Sequence, residues 1–365
     1  MHIAFAGGGT AGHVTPALSI ANAIKIQRPN TEITFFTSPS GIEREILKSY
    51  PYRTIELSIH NLSRNLSWKT ARTAVEVPLS ILQAKRALAK CHVDLVIGTG
   101  GYVSYPAVIA AQLLGIQNFI HESNSIPGLV TKLLAKRSDG VLTNFSSCKD
   151  HLSQGTKVYQ IGNFILSEKQ VKPSFVLKES LGMKRGEKLV LIIGGSLGAM
   201  SINEMIIKMV AKYQSKCDSL HFLISTGRAN YNNVLQKANG IFGQLPRNIH
   251  LFPYVSPIAD FLRSADIAIT RAGACTLSEL CYYHVPAIVI PYPKAAKDHQ
   301  KYNALAYEKA GCGRIVIENE LSEEMLLEAL ECLLFSPLKR DEIIHHQRSS
   351  FPVNRYDALF RLLSI

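Results

Sequence analysis

The sequence contains no closely spaced cysteine pair and no long apolar run. Its seven cysteines are scattered along 365 residues, and no two have the two-residue spacing of metal or redox motifs. We therefore expect free thiols in a reducing compartment. Residues 2–6 are apolar but end at three glycines without a basic leader, so we expect no secretory signal. The most apolar stretch, 103–120, is broken by Pro106, Gln112 and Gly115, so any membrane contact should be peripheral.

Two common phosphate-binding motifs are also missing. No Gly-x-x-x-x-Gly-Lys-Ser/Thr loop occurs, which argues against a nucleoside triphosphatase, and no Asp-x-Asp pair occurs, which argues against a metal-clamped diphosphate. The second predicted strand ends at Thr37 and Ser38 without an acid at its tip, which argues against NAD. We expect neither a bound metal nor another cofactor.

Acidic residues are scarce relative to basic ones. The chain has 28 Asp and Glu against 40 Lys and Arg, a formal net charge of +12. This surplus favours an anionic partner, which could be nucleic acid, a membrane surface or a phosphorylated ligand. Nucleic acid is the least favoured of the three, because the basic residues are not interleaved with stacking aromatics and no reader motif is present.

Short β-branched and aromatic runs alternate with helical patterns, as in parallel βα units. The pattern predicts an α/β protein with two Rossmann-like domains, 1–163 and 164–344, and a segment 345–365 that packs back on the first domain through a short helix. The predicted strands are 2–6, 33–37, 54–59, 94–98, 117–121, 140–144 and 157–161 in the first half, and 189–193, 220–225, 249–252, 267–270, 287–290 and 314–317 in the second.

Glycine-rich loops follow three of these strands, at 7–12, 98–101 and 194–198. Glycine allows the backbone to approach a phosphate closely, and a following helix offers unpaired N–H groups. Because ligands bind at the carboxyl edge of such sheets, the loops predict a phosphate-rich ligand in a cleft between two facing domains. A purely structural tight turn is the alternative for the first loop.

Six motifs then agree jointly with one known family. The segments are Gly-Gly-Gly-Thr-Ala-Gly-His at 7–13, Gly-Tyr-Val-Ser at 101–104, His-Glu-Ser-Asn at 121–124, Gly-Gly-Ser-Leu-Gly-Ala at 194–199, 266–291, and 298–304. They occur in order and with similar spacing from residue 3 to about 340, and together they resemble the MurG family of peripheral membrane N-acetylglucosaminyltransferases.

The resemblance implies a GT-B fold and an inverting transfer of GlcNAc in peptidoglycan synthesis, a process tied to cell shape and division. The donor would be UDP-GlcNAc. The acceptor would be the C4 hydroxyl of undecaprenyl-diphospho-MurNAc-pentapeptide, lipid I, at the cytoplasmic face of the cell membrane. The alternatives are a related GT-B transferase with another donor or acceptor, and a UDP-GlcNAc 2-epimerase, which would need no lipid.

The resemblance places most donor-binding residues in the second half. Glu279 would accept hydrogen bonds from the ribose hydroxyls, although its spacing from Thr276 also fits a helix-capping acid. Arg271 would supply positive charge beside the diphosphate, with a surface ion pair as the alternative, and the backbone near Val255 would read uracil. The other donor-binding residues are Thr10, Ala11, Gly12, Asn124, Ser196, Gly198, Asn203, Ala274, Cys275, Leu277, Ser278, Gln300 and Asn303.

Inverting transfer needs a base that takes the acceptor proton. His13 is the first candidate because it ends the first glycine loop, although a histidine at a helix start is often only a helix-end hydrogen bonder. Glu122 is the rival, and His121, which points to the opposite face of its strand, is the weaker candidate. The residues expected to bind the acceptor or its diphosphate are Gly9, Gly12, His13, Gly100, Gly101 and Tyr102.

Four positions depart from the usual family text. Ala11 stands where glycine is usual, Ser123 where glutamine is, and Leu197 where glutamine or arginine is. Leu166 replaces an arginine expected near the donor. Because these changes fall on donor and acceptor contacts, an altered choice of sugar or acceptor, or a role outside the main cell-wall pathway, stays open.

A basic segment with exposed apolar residues is predicted at 60–90. It carries six Lys and Arg against the single acid Glu76, a net charge of +5, and it contains the only tryptophan. Such a composition fits a helix docked on anionic lipid, and the alternative is an ordinary amphipathic helix packed on the sheet. With a lipid-linked acceptor implied, we favour the membrane. The patch comprises Leu66, Trp68, Lys69, Arg72, Leu79, Lys85 and Arg86.

Overall fold

The computed structural model of the chain describes residues 1–60, 68–165, 173–195 and 197–363, with the backbone alone for 68–74. The chain forms two compact units, Met1–Leu166 together with Pro352–Ile365, and Ser167–Phe351.

The division differs from the predicted one near the C-terminus. Residues 345–349 were expected to return to the first domain, but they end a helix of the second unit, Pro337–Ser349, and the chain changes units only at Pro352.

The first unit is built on a seven-stranded parallel sheet within the described residues. Its strands are β1 His2–Gly7, β2 Glu32–Thr37, β3 Arg53–Glu56, β4 Leu95–Gly100, β5 Gln117–Glu122, β6 Gly140–Thr143 and β7 Val158–Gln160, in the order β3-β2-β1-β4-β5-β6-β7. Its helices are α1 Ala11–Gln27, α2 Ile42–Leu47, α3 Trp68–Lys90, α4 Ser104–Leu114 and α5 Leu129–Leu134, with 3₁₀ turns at Ala135–Arg137 and Ser146–His151.

The second unit repeats this plan with six parallel strands in its described segments. They are β8 Lys188–Ile193, β9 Leu220–Ser225, β10 Ile249–Phe252, β11 Ile267–Thr270, β12 Ala287–Val289 and β13 Arg314–Ile315, in the order β10-β9-β8-β11-β12-β13. Its helices are α6 Ser174–Ser180, α7 Met200–Lys212, α8 Gln214–Cys217, α9 Tyr231–Phe242, α10 Ile258–Ser264, α11 Ala274–Tyr283, α12 His299–Lys309, α13 Glu323–Leu334 and α14 Pro337–Ser349, with 3₁₀ turns at Ala296–Asp298 and Glu318–Glu320.

The predicted pair of Rossmann-like sheets is therefore confirmed. The central strands are buried on both faces, which explains why they read as continuous apolar runs such as residues 189–193. Several strand ends differ from the sequence prediction by a few residues. The strand expected at 54–59, for example, ends at Glu56.

The last helix, α15 Tyr356–Leu363, packs on the first unit. Its Leu359 and Leu363 are buried in the same core as Leu18 of α1 and Phe5 of β1. A parallel bridge between Asn163 and Val353 begins this attachment. Throughout the described part of the chain, helices long and apolar enough to cross a bilayer are lacking.

Candidate active site

Both sheets bring their glycine loops to the point where the strand order reverses. In the first unit, β1 lies between β2 and β4, so the loops that follow β1 and β4 are neighbours. In the second unit, β8 lies between β9 and β11, so the loop 194–198 lies beside the loop that precedes α11. Crevices at such switch points are the usual ligand sites of doubly wound sheets. Each unit thus has one candidate binding edge.

The first two glycine loops pack backbone against backbone. Gly8 N–H donates to Gly100 O at 3.3 Å. Gly101 has φ 75°, and a Cβ at this position would collide with the carbonyl oxygen of Gly8. Glycine is required here by the left-handed backbone and the close approach of the two loops, whether or not a phosphate binds.

His13 lies over the second glycine loop. Its Nδ1 is 3.1 Å from Thr99 O, and its own carbonyl accepts a hydrogen bond from Thr99 Oγ1 at 2.7 Å. The ring rests against Gly100, where a Cβ would lie 2.6 Å from Nδ1. When Nδ1 donates to the Thr99 carbonyl, the neutral ring carries its proton-accepting lone pair on Nε2. The half-buried imidazole is thus oriented as a general base requires.

The carboxylate of Glu122 accepts hydrogen bonds that hold neighbouring segments together. Its Oε1 accepts the main-chain and side-chain N–H groups of Asn124 at 3.1 and 3.2 Å. Its Oε2 accepts Gly128 N–H at 2.9 Å and Thr131 Oγ1–H at 2.7 Å. These four donors tie the loop 123–128 and the start of α5 to β5. Because both carboxylate oxygens are engaged in holding this loop, the structure gives Glu122 a structural role and no longer favours it as the rival base.

His121 points into the interior, as its position on the strand predicts. It is 1% exposed, and burial lowers its pKa to about 4. The neutral ring lies 3.4 Å from Gly162 O through Nε2. It cannot meet a substrate.

The first glycine loop does not offer the N–H of Gly9 to a ligand. That N–H donates to the buried carboxylate of Glu43 at 3.1 Å, which corrects its predicted role in phosphate binding. The remaining positions of this loop open α1. Thr10 is the N-cap residue with extended backbone and no side-chain cap, and Ala11 and Gly12 follow in the first turn. The unsatisfied N–H groups of such a turn can bind an anion.

The third glycine loop packs on the end of β9. Gly198 has φ 75°, and a Cβ there would collide with Thr226 O. Asn203 is fully buried, and its Nδ2 donates to the same carbonyl at 3.2 Å. Asn203 therefore anchors α7 to the sheet instead of reaching a diphosphate, contrary to prediction. Leu197 at the loop tip is 82% exposed, and Ser196 lies outside the described residues.

Arg271 is buried and internally paired. Its guanidinium donates to two main-chain carbonyls that follow β12, at 3.2 and 3.3 Å, to Ser201 Oγ at 2.9 Å, and to the carboxylate of Glu318. Burial acts to raise the pKa of Glu318, but hydrogen bonds, the first of them from Arg271, outweigh it and lower that pKa. The predicted positive charge beside the diphosphate is thus neutralised. Arg271 instead joins the first turn of α7 to the loop after β12.

Replacement of Glu318 by glutamine should destabilise the protein. The change leaves the guanidinium of Arg271 largely buried without its counter-charge, so the free energy of unfolding should fall by about 2 kcal/mol in urea denaturation. The matched change Glu45→Gln breaks the exposed Lys48–Glu45 pair and should leave the free energy of unfolding nearly unchanged. Equal losses in the two variants would contradict this account of Arg271.

Glu279 lies one turn inside α11. The helix begins at Ala274 with Gly273 as N-cap, so Glu279 is its sixth residue and the capping-box alternative is excluded. Burial raises the pKa of Glu279 to about 7, and no hydrogen-bond partner of its carboxylate occurs among the described residues. A desolvated carboxylate without a partner is costly unless a ligand supplies donors.

The rest of the α11 segment forms the surroundings of Glu279. Burial raises the pKa of Cys275 to about 12, so its thiol stays protonated. Thr276 is half-buried, Leu277 is buried, and Ser278 Oγ donates to Ala274 O at 3.0 Å.

The segment after β12 folds over α11. Asn303 is fully buried, and its Nδ2 donates to Ala272 O at 3.1 Å. Gln300 Oε1 accepts Tyr292 N–H at 3.0 Å. Both side chains therefore hold this segment in place, and Gln300 has its NH₂ group left for a sugar hydroxyl. Val255 is buried in the loop after β10, where only its backbone could contact a base.

Helix α3 exposes part of the predicted patch. Val75, Leu79 and Leu82 are 62, 50 and 43% exposed, and Lys85 and Arg86 are exposed one turn later. Leu66 lies outside the described residues, as do the side chains of Trp68, Lys69 and Arg72. The opposite face of α3 is buried against the sheet, as the amphipathic-helix alternative expects, and its exposed face stays a predicted membrane contact.

Helix α5 carries an exposed apolar pair that was not predicted from the sequence. Leu129 and Leu133 are 57 and 58% exposed, with Lys132 and Lys136 exposed beside them. Their neighbour Leu134 belongs to the same core as the buried face of α3, so α3 and α5 cover one face of the sheet. In the sequence, this pair is visible only as two leucines four positions apart next to lysines. A helix of six residues is too short for that spacing to form a clear amphipathic pattern.

A metal centre has no support in the described ranges. No group of three or more His, Cys, Asp or Glu side chains there could hold an ion.

Comparisons with known proteins agree with this architecture. Residues 3–143 match the glycosyltransferase family 28 N-terminal domain, and residues 189–354 match the glycosyltransferase family 28 C-terminal domain. A protein from Carboxydothermus hydrogenoformans is 35% identical over all of this chain and 96% of its own length, and one from Caldanaerobacter subterraneus is 33% identical over all of this chain and 99% of its own. Both are named UDP-N-acetylglucosamine–N-acetylmuramyl-(pentapeptide) pyrophosphoryl-undecaprenol N-acetylglucosamine transferase.

Solved structures share the fold over the full chain. The crystal structure of Acinetobacter baumannii MurG matches with a TM-score of 0.75 at 25% identity and covers 100% of this chain and 99% of its own. A putative UDP-N-acetylglucosamine 2-epimerase from Listeria monocytogenes matches with a TM-score of 0.69 at 16% identity, over 100 and 94% of the two chains. The second likeness concerns the fold alone.

Proposed function

The chain belongs to glycosyltransferase family 28, with the two Rossmann-like domains of the GT-B architecture, and we propose that it transfers GlcNAc from UDP-GlcNAc to lipid I. The product is lipid II, with a β1,4 link to the muramyl sugar. The observation that carries this proposal is full-length identity of 31–35% to transferases of that name. The epimerase alternative has 16% identity and shares only the fold.

The second unit binds the donor. The N–H groups at the start of α7 and the loop 194–198 hold the diphosphate, since a helix N-terminus favours negative charge. The carboxylate of Glu279 accepts hydrogen bonds from the two ribose hydroxyls, which supply donors that it lacks among the described residues. Gln300 contributes its NH₂ group to the sugar. Arg271 and Asn203 act indirectly, because they fix the helix and loops that carry these groups.

The first unit binds the acceptor and removes its proton. His13 Nε2 takes the proton of the C4 hydroxyl as that oxygen forms a bond to C1 of GlcNAc. The bond from C1 to the UDP oxygen breaks with its electron pair, so UDP leaves with the charge and the configuration at C1 inverts. The hydrogen bond from Nδ1 to Thr99 O supports this role, because it fixes the tautomer.

Acceptor-dependent release of UDP tests the proposal. The protein is incubated with UDP-GlcNAc, with and without a short-chain lipid I analogue, and UDP is measured. We expect release only with the acceptor and a disaccharide product in equal amount. Release of UDP without acceptor would favour the epimerase class, and preference for UDP-Glc over UDP-GlcNAc would point to another donor.

We also propose that α3 docks on an anionic membrane. Exposed leucines beside Lys85 and Arg86 can enter the headgroup region while the basic side chains contact lipid phosphates. The exposed Leu129 and Leu133 of α5 extend this apolar surface on the same face of the sheet. A lipid-linked acceptor requires such a surface.

The double charge reversal Lys85→Glu/Arg86→Glu should weaken binding to anionic vesicles at least ~30-fold in a sedimentation assay. Loss of two basic residues removes about 2 kcal/mol, since each contributes ~1 kcal/mol near the surface. The matched control Lys208→Glu/Lys309→Glu changes the net charge equally on exposed positions of the second unit. An equal loss in both double variants would show that overall charge, not the α3 surface, drives binding.

A further inference from the structure

Glu43 is a buried acid beneath the first glycine loop, and the proposed transfer reaction gives it no role. It lies in α2, is 0% exposed, and forms no ion pair with a Lys, Arg or His of the described segments. Burial of a carboxylate without a cation is costly unless hydrogen bonds satisfy it. The groups that supply those bonds therefore indicate what the residue does.

Three donors surround the Glu43 carboxylate. Oε2 accepts Gly9 N–H at 3.1 Å, and Oε1 accepts Ser38 N–H at 3.0 Å and Ser38 Oγ–H at 2.6 Å. The last distance is that of a charge-assisted bond. A Cβ at Gly8 would lie 2.8 Å from the carboxyl carbon, so the acid fills the space under the loop.

The hydroxyl protons available between Glu43, Ser38 and Tyr102 determine whether Tyr102 donates or accepts a hydrogen bond at this site. Ser38 Oγ also lies 2.9 Å from Tyr102 Oη. The single hydroxyl proton of Ser38 goes to Glu43, so Ser38 Oγ must accept from Tyr102. The only hydroxyl proton of Tyr102 is then donated to Ser38, so its oxygen can act toward a ligand only as a hydrogen-bond acceptor.

The tyrosine is held firmly in this arrangement. A Cβ at Gly9 would lie 3.0 Å from the Tyr102 ring, which shows how closely the ring packs on the loop. Burial raises the pKa of Tyr102 by more than its hydrogen bond with Ser38 lowers it, and the charge of Glu43 raises it further. The phenol therefore stays protonated, and its proton stays on the Ser38 side.

We propose that Glu43 is a positioning residue that makes Tyr102 a hydrogen-bond acceptor, so that Tyr102 recognises a hydroxyl or amide N–H of the muramyl sugar and not a phosphate. A phosphodiester oxygen carries no proton at neutral pH, and it finds no donor at Tyr102 or at Gly9, whose N–H is taken by Glu43. The diphosphate must then bind elsewhere on the acceptor unit. This inference rests on the proposed function.

A double-mutant cycle tests the hydrogen-bond relay from Glu43 through Ser38 to Tyr102. Ser38→Ala and Tyr102→Phe should each raise the KM for the lipid I analogue about 5- to 10-fold, as expected for one lost hydrogen bond, and leave the KM for UDP-GlcNAc unchanged. Because Ser38 acts through Tyr102, the double variant should be no worse than Tyr102→Phe alone. Multiplied effects in the double variant, or a raised donor KM, would overturn the relay.

A second acceptor separates sugar from phosphate recognition. With an analogue whose diphosphate is replaced by a neutral linker, Ser38→Ala should raise KM by the same factor as with the diphosphate acceptor. If the penalty disappears with the neutral analogue, Tyr102 contacts phosphate and the inference fails. Ser19→Ala, which removes a buried hydroxyl bonded within α1, is the matched control and should behave as wild type.

Wild-type kinetics distinguish a failure of the proposed function from a failure of the inference about Tyr102. If the unmodified protein releases no UDP upon addition of acceptor, the proposed function is wrong. If it does, and Ser38→Ala matches it in acceptor KM, only the inference is wrong. Glu43→Gln should show the same acceptor-specific defect, with a further loss because the loop at Gly9 is released.

Discussion

Replacement of His13 by alanine should lower kcat by about 10³-fold with little change in the KM for UDP-GlcNAc. The variant lacks the proposed base for the C4 proton, and general-base catalysis typically contributes 10²–10⁴-fold. The donor KM should hold, because the imidazole bonds to Thr99 within the acceptor unit. Steady-state transfer from UDP-GlcNAc to the lipid I analogue measures both constants.

A second histidine variant controls for general effects of the substitution. His151 is exposed in a 3₁₀ turn of the first unit, and His151→Ala should keep wild-type kcat. If His13→Ala retained more than about a tenth of wild-type kcat, the proton would go to another acceptor. Glu122→Gln should mainly lower stability, since its carboxylate receives four hydrogen bonds.

Replacement of Glu279 by alanine should weaken UDP-GlcNAc binding about 100-fold in calorimetry. Two charge-assisted hydrogen bonds to the ribose are lost, and a loss of about 3 kcal/mol corresponds to a factor of about 100. The affinity for the lipid I analogue should be unchanged, which serves as the internal control. A loss of less than about fivefold would remove Glu279 from the ribose site.

Donor binding should also depend on pH. Burial raises the pKa of Glu279 to about 7, and in the proposed donor site only the ionised form can accept hydrogen bonds from both ribose hydroxyls. The dissociation constant for UDP-GlcNAc should therefore rise about tenfold between pH 8 and pH 6, as the carboxylate takes up a proton. Glu279→Gln should bind weakly at both pH values with no such change.

The pH dependence of folding stability at Glu279 should be opposite to that of donor binding: stability should fall as the pH rises. The pKa of Glu279 is higher in the folded protein than its ordinary value of 4.5, so the ionised group disfavours folding once the pH exceeds that value. At pH 8, Glu279→Gln should therefore unfold at a temperature no lower than wild type. A clear loss of thermal stability would indicate a structural role for the carboxylate.

Much of the fold was predictable because its signals are local. Runs such as residues 189–193 and 267–269 are apolar at every position, as is typical of strands covered on both faces, and each is followed by a polar or glycine-rich turn. Alternation with helical patterns then predicted two parallel sheets. The change of units at Pro352 was less visible, because α14 and α15 are separated by only a few residues and either could have crossed.

The site was predictable in its location and less so in its roles. Glycine loops at strand ends indicated the binding edges, and His13 and Glu279 lie where the motifs predicted them. Glu43 gave no signal, since a single glutamate in a short helix looks like a solvated charge. Only the fold shows that it is buried beneath a loop 34 positions earlier in the chain.

The sequence by itself determined the two-sheet architecture, the glycine loops and the family. The tertiary structure decided which polar groups remain available to a ligand. Arg271 meets Glu318 across 47 positions and Asn203 meets Thr226 across 23, and in each case the partner comes from another segment of the chain. A buried polar group must be satisfied by whatever the fold brings near it. Those partners, and therefore the division between scaffold and ligand-binding residues, exist only once the chain has folded.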